Sequence, residues 1–346
     1  MPDLPNFKDW PDNAGDSLPV DQIVRMYGEG FIGARDNPEA QEELIYDAEY
    51  KSIDHASHDN KWAGSGKGKL ITPFTYIMAA YPTALPGPAQ ERGDCVSHSE
   101  KNACLMAVVC DVVDAKPDEV TGKVEGYPGV SPEGMSNGVL STEWLYWFRG
   151  YNGDGWDCPT AARVAKKHGI MLRHSYPELG IDLTSYSGRL AGKYGRQSPP
   201  DSFDQVGRQH LIHDVTSLDS AEELRDALAN GFGVSSCGGE GFSSNRDGNG
   251  VSRRQGSWSH AMAVIGFDDR PVAHDKYGGP LALIQNSWGQ FNTGSRRIMG
   301  TNIDIPHGSF WARWRDVRRR NFLAHIGAAG WGPKRFVWTD LSEIIG

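Results

Sequence analysis

Three residues in this chain, Cys95, His260 and Asn286, have types and contexts suited to nucleophilic acyl chemistry. Cys95 follows Gln90-Glu91-Arg92-Gly93-Asp94, where glycine and aspartate turn the chain before the cysteine opens an apolar-periodic run. A thiol at a helix N-terminus meets unpaired N–H groups and a partial positive charge, and both favour thiolate. With a cationic neighbour, a cysteine pKa of ~8.5 falls to roughly 3.5–7.5. His260 heads the run Ala261-Met262-Ala263-Val264-Ile265-Gly266, and a strand of that kind can hold a cleft-facing imidazole still. Asn286 ends the next apolar run, Leu283-Ile284-Gln285. If the two strands pair, its amide oxygen accepts from one imidazole nitrogen and sets tautomer and ring orientation. Trp288 would then cover that bond and keep water out. Gln90 can aim an amide N–H at a carbonyl under attack and, with the Cys95 N–H, form an oxyanion hole. Taken singly, each has a plainer reading as a core cysteine, a satisfied structural histidine or a turn asparagine. His98, one helical turn past Cys95, competes weakly as the base because no orienting partner is evident.

The elements that must position these residues follow from the hydrophobic pattern. Cys95 to Val113 reads as a helix whose apolar side carries Ala103, Met106, Val109, Cys110 and Val113. Thr142 to Phe148, Thr160 to His168 and Ser220 to Ala229 read as further helices, the last capped by Asp219. Phe232 to Ser236, Ala261 to Phe267, Leu281 to Gln285 and Ser309 to Trp314 read as strands. A helical half followed by a β half predicts two lobes with a cleft between them. Residues 1–70 read as an N-terminal extension that packs on the body or acts as a propeptide or docking arm. Within it, Val20 to Met26 and Glu39 to Tyr50 are short helix candidates, and Gly64 to Gly68 reads as a flexible joint.

Together these segments resemble the papain family of cysteine peptidases. Gln90…Cys95 resembles the family's nucleophile segment, Ser259-His260-Ala261 its histidine segment, and Asn286-Ser287-Trp288-Gly289 its asparagine segment, in the family's order. Tyr151-Asn152-Gly153-Asp154-Gly155-Trp156 is similar to its glycine-rich loop, and Lys167-His168-Gly169-Ile170 with Tyr176-Pro177 to the helix end and turn beyond. The resemblance implies an α+β, papain-like two-lobed fold: a helical left lobe, an antiparallel β-barrel right lobe and an interlobe active-site cleft. The catalytic domain would span residues 71–335, its helical lobe about 85–205 and its β lobe about 206–325, with a tail at 336–346. It implies a cysteine peptidase acting through a Cys95–His260–Asn286 triad and a thioester acyl-enzyme. Gln90 would serve the oxyanion, and Gly153, Asp154, Gly155 and Trp288 the substrate. No cofactor or metal is implied, and the partner is a protein or peptide substrate. The chain also departs from the family pattern. Val96 replaces an aromatic residue, Gln90 is one position closer to the cysteine, and Arg92 and Tyr151 lie near where disulfide cysteines would stand. A structural or binding role on the same scaffold, for example within a virion, and amidase or acyl-transferase chemistry are the rivals.

Composition narrows the field. The net charge of -9 argues against nucleic acid or an anionic membrane as the main partner. Arg313 to Arg320 is locally basic and reads as a solvated face before a docking patch. No run approaches the ~20 apolar residues of a membrane span, and Met1 to Asp12 lacks the features of a secretory signal. Five cysteines without a CxxC pair suggest an uncrosslinked chain made in a reducing setting, cytoplasmic or particle-associated. Cys104 and Cys110 read as core, and Cys158 and Cys237 have no assigned role. Gly28 to Gly33 matches GxGxxG without a preceding strand, and Asn245 to Gly250 reads as a plain loop despite its likeness to a calcium loop.

Overall fold

The computed structural model describes residues 33–47, 62–114 and 129–328. The first part is helix-rich: α1 (Pro38–Asp47), the short β1 (Leu70–Ile71), α2 (Phe74–Ala80), α3 (Cys95–Asp114), α4 (Pro132–Ser136), α5 (Thr142–Trp147) and α6 (Cys158–His168). A ribbon of β2 (Ser175–Tyr176) and β3 (Ile181–Asp182) then leads to α7 (Gly188–Tyr194) and α8 (Asp201–Gly207). Strands dominate afterwards: β4 (Ile212–Leu218), β5 (Gly233–Arg246), β6 (Ser252–Asp268), β7 (Leu281–Gln285), β8 (Ser309–Arg313) and β9 (Asn321–Ala328), interrupted by α9 (Ala221–Ala229), α10 (Pro271–Tyr277) and α11 (Trp314–Val317). A helical part set against an antiparallel sheet is the α+β arrangement expected. The candidate helix over Val20 to Met26, residues 48–50 of the second candidate helix, and Gly28 to Ile32 of the GxGxxG match lie outside the described residues.

The sheet runs in the order β4-β9-β5-β6-β7-β8, with β1 added on β6, and every pairing is antiparallel. Among the described residues the ladder runs as a path with a return contact. At the tip of the β5–β6 hairpin, Val251 bridges Trp311 of β8, and Trp311 N–H donates to Gly250 at 2.9 Å. The hairpin strands are 14 and 17 residues long, so their far end can bend back onto β8 without a continuous ladder. The tip is a turn built on Asp247, whose Oδ1 accepts from Asn249 N–H at 2.8 Å and Val251 N–H at 3.0 Å. A plain loop is what was expected of it.

Helix α3 joins the two parts and packs on β5, β6 and β9. Sequence periodicity assigns it one apolar side, yet Ser97, His98, Ser99, Glu100, Lys101 and Asn102 are all buried beside Ala103 to Val109. A helix enclosed on every side needs no amphipathic stripe, and its polar groups must find partners inside. Glu100 does so by bonding His325 of β9. The closest approach is at Gly233, where an added Cβ would stand 1.7 Å from the carbonyl oxygen of Ala103.

Between β6 and β7, the stretch from Asp268 to Pro280 contains α10 with Pro271 at its start. Three local expectations are corrected. The cap of α9 is Ser220, whose Oγ accepts from Glu223 N–H at 3.1 Å; Asp219 instead gives its N–H to the Glu223 carboxylate at 2.6 Å. A serine at the last non-helical position reaches the third amide of the helix, whereas Asp219 lies one residue too early. Gly64 to Gly68 is an anchored turn: Gly64 and Gly66 N–H donate to the Asp226 carboxylate at 2.6 and 3.0 Å. Glycine there allows close approach rather than freedom, since a Cβ on Gly66 would stand 2.6 Å from Ile71. Finally, Cys158 and Cys237 form a disulfide with a Cα–Cα distance of 6.2 Å. It joins α6 of the helical part to β5 of the sheet, so the chain is crosslinked after all. Parity counting says nothing about which cysteines meet in space, and 79 residues separate these two.

Candidate active site

Strand register brings two of the candidate residues together. β6 and β7 pair with Ala263 opposite Gln285 and Val264 opposite Ile284. Continuing that register one residue sets Asn286 opposite Met262, on the same face as His260 and diagonal to it. The side chains meet: His260 Nε2 and Asn286 Oδ1 are 2.9 Å apart. Asn286 Oδ1 also accepts from Ser287 N–H at 2.7 Å, which orients the amide so that the imidazole is the donor. The same register places Trp288 over His260, with stacked rings at 4.6 Å and 22°. Trp258 and Phe291 close around Trp288. Trp288 is fully buried, so it covers the imidazole and presents no open face to a substrate.

Cys95 reaches this pair from the first turn of α3. Ala261 N–H points at Cys95 Sγ at 3.4 Å, which places the thiol beside the residue following His260. Since Nε2 faces Asn286, the imidazole atom that can exchange a proton with the thiol is Nδ1. Gln90 is buried between this loop and the asparagine segment: its N–H donates to Ser287 O at 2.8 Å, and its Oε1 accepts from Ser287 Oγ. Its Nε2 donates to Arg92 O at 2.7 Å.

The glycine-rich loop is tied to the nucleophile segment by polar contacts. The Asp154 carboxylate takes Arg92 Nε at 2.8 Å, Tyr146 O–H at 3.0 Å and Gly93 N–H at 3.3 Å. Gly155 N–H donates to Gly93 O at 3.0 Å. Arg149 braces the loop from below by donating to Tyr151 O at 2.9 Å and to Gly153 O. The Asp154 side chain is therefore consumed in holding the loop, and what Gly153, Asp154 and Gly155 can offer a substrate is their backbone. Arg92 and Tyr151 carry part of this network.

Gly33 to Arg35 bridge the segments that carry Ser259 and Trp156. Gly33 and Ala34 N–H both donate to Ser259 O, at 3.0 and 2.9 Å, next to His260. On the opposite side, Arg35 N–H donates to Trp156 O at 2.8 Å and Trp156 N–H to Gly33 O at 3.1 Å. Arg35 adds a bond to Asp154 O at 2.8 Å, and α1 continues onto α6 and β4. Cys95 and His260 are each 0% exposed. Burial pushes the His260 imidazole down to about 3, with Arg320 lowering it further and the Asn286 bond opposing. Burial therefore disfavours the charged imidazolium here.

Sequence reading missed Arg320. It is buried, and its guanidinium donates to His260 O at 2.6 Å and approaches the Glu240 carboxylate at 3.5 Å. The solvated basic face holds for Arg315, Arg318 and Arg319, which are exposed, and fails for Arg320 because the chain turns inward into β9. Nothing in a run of arginines distinguishes the one that enters the core. His98 faces Tyr186 and Asp94, with Nε2 3.7 Å from Asp94 Oδ2. Glu100, Cys104 and His325 are the group of potential ligand atoms gathered among the described residues, but Glu100 and His325 bond each other as a buried polar pair. Among the described residues no helix is long and apolar enough to cross a membrane.

No protein-family model matches this chain, and no curated protein does. Solved structures do. Xylellain, a cysteine protease from Xylella fastidiosa, is 16% identical over 77% of this chain and 97% of its own, with a TM-score of 0.42. The clostridial cysteine protease Cwp84, after propeptide cleavage, is 17% identical over 76% of this chain and 58% of its own, with a TM-score of 0.46. Digestive procathepsin L 3 from Tenebrio molitor larval midgut is 13% identical over 89% and 88%, with a TM-score of 0.39.

Proposed function

We propose that this protein is a cysteine peptidase that hydrolyses peptide bonds through Cys95, His260 and Asn286. The observation that carries the reading is the His260–Asn286 bond on paired strands, with the Cys95 sulfur against the adjoining Ala261 amide. In the reaction His260 Nδ1 takes the thiol proton as Cys95 attacks the scissile carbonyl, and Asn286 holds the resulting imidazolium in place. The Cys95 N–H and the Gln90 side-chain amide serve the developing oxyanion. His260 then gives its proton to the leaving amine, and a thioester remains. Water, deprotonated by the same nitrogen, attacks the thioester and releases the acid and the thiol. Gly33 to Arg35 must leave before a substrate enters, and their departure rehydrates His260 and lifts its pKa toward the usual range.

The test is turnover of unfolded casein. Wild type should cleave it once residues 33–35 are displaced, Cys95→Ala should be inert, and Gln90→Ala should lose about 10²–10³ in rate. Undiminished cleavage by Cys95→Ala would overturn the reading. A binding or structural role is the second reading, favoured by the complete burial of Cys95 and by a segment that bonds both Ser259 and Trp156. It requires iodoacetamide to label Cys95 no faster near pH 6 than an ordinary thiol, even after that segment is removed.

A further inference from the structure

We infer that Tyr186 is a positioning residue for the oxyanion donors, setting the shape of the loop from Gln90 to Cys95 through its hydroxyl. This inference rests on the peptidase reading. Both donors assigned to the oxyanion belong to one irregular stretch: the Gln90 amide at its start and the Cys95 N–H at its end. The stretch has no ladder to hold it, so its curvature depends on what the interior residues bond to. Tyr186 bonds two of them with one oxygen. Its hydroxyl accepts from Glu91 N–H at 3.0 Å and donates to Asp94 Oδ2 at 2.8 Å. These are the residues immediately inside Gln90 and Cys95, so the distance between the donors is spanned by a single buried atom.

The tyrosine is itself held. Its N–H donates to Asn137 Oδ1 at 2.9 Å, and its ring packs edge-on against His98 of α3 at 5.0 Å. The following residues grip the same loop. Gly188 N–H donates to Glu91 Oε2 at 2.8 Å, and Gly188 O accepts from Arg92 at 2.9 Å. A Cβ on Gly188 would stand 2.6 Å from the Glu91 Cβ, so glycine is needed for the loop to lie this close. These hydrogen bonds of Tyr186 and Gly188 go to the loop and to Asn137. Removing the hydroxyl should therefore loosen the oxyanion donors while leaving the nucleophile in place. A misplacement of about 1 Å is enough to cost roughly 10²-fold in a pre-organised site.

The test compares two probes of Cys95 in Tyr186→Phe and wild type. Iodoacetamide alkylates the thiolate and develops no oxyanion. A leucine-containing peptide aldehyde forms a hemithioacetal whose oxygen occupies the oxyanion position. Tyr186→Phe should keep its alkylation rate within about twofold, while kcat on unfolded casein and aldehyde affinity fall together by roughly 10–100-fold and KM stays near wild type. Gly188→Ala, which presses on the loop from the other side, should give the same split, so the outcome does not depend on one variant folding well. Wild-type kcat and aldehyde affinity in both variants, with Cys95→Ala inert, would overturn the role of Tyr186 and leave the peptidase reading standing. An equal loss of alkylation and aldehyde affinity would also overturn it, because the thiol itself would then have moved. Turnover by Cys95→Ala would instead sink the peptidase reading.

Discussion

The two sides of the candidate site are held in place by different means. His260 and Asn286 sit on β6 and at the end of β7, where the backbone ladder alone determines which side chains face each other. Cys95 and Gln90 bound a loop without a ladder, positioned by Arg92, Asp154, Tyr186 and Gly188. A ladder spreads positional control over many equivalent backbone bonds, so no one side chain dominates. A loop concentrates that control in a few polar atoms, and losing one leaves its buried partner unsatisfied. Substituting a side chain that braces the loop should therefore cost more stability than substituting Asn286 on the strand side.

The largest effect should come from Arg92→Leu, which strands the Asp154 carboxylate, 7% exposed, among Tyr146 and Gly93. About 3 kcal/mol should be lost in urea unfolding. Adding Asp154→Asn should recover part of it, as a double-mutant cycle would measure. If Arg92→Leu unfolds like wild type, the loop is not held as described.

The disulfide gives a comparable test of the seam between the two sides. The Cys158→Ala, Cys237→Ala double variant should lose about 2–4 kcal/mol, and wild type should melt earlier in a phosphine reductant while the variant does not. A variant as stable as wild type would mean that α3 and the sheet hold the seam without it.

On the strand side, Asn286→Ala should fold normally and lose about 10–100-fold in kcat, because the imidazole loses the acceptor that orients it. A loss of stability exceeding the kinetic loss would contradict the contrast between ladder and loop.

The smallest effect concerns Asp94. Burial raises its carboxyl to about 8, opposed by the Tyr186 hydroxyl. The unfolded carboxyl releases its proton near pH ~4, so between there and pH 8 the folded state binds the extra proton. Stability from this group is thus whole below pH ~4 and is lost as pH rises through about 8. Asp94→Asn has no such slope, so its stability relative to wild type should climb across that window and level off above it. Parallel unfolding curves at pH 5, 7 and 9 would refute the assignment.

Much of the strand side was legible in the chain. The run Leu281 to Gln285 coincides with β7, and the period-2 geometry of strands is what makes His260 and Asn286 a pair once the runs are adjacent. The start of α3 at Cys95 was legible for a similar reason, since Gly93 and Asp94 end the preceding loop. The loop side was not. Arg92 to Asp154, Tyr186 to Asp94 and Gln90 to Ser287 are contacts across 62, 92 and 197 residues, and no local pattern encodes them.

Sequence by itself determined the residue types that can do chemistry, their order, and the helices and strands that carry them, because propensity and hydrophobic period act over a few neighbours. Tertiary structure alone decided the rest. It crosslinked Cys158 to Cys237, brought Arg320 to the His260 carbonyl, committed the Asp154 side chain to bracing the loop, and bonded Gly33 to Arg35 to Ser259 and Trp156. Each depends on which distant surfaces are pressed together, a choice made by burial of the whole core.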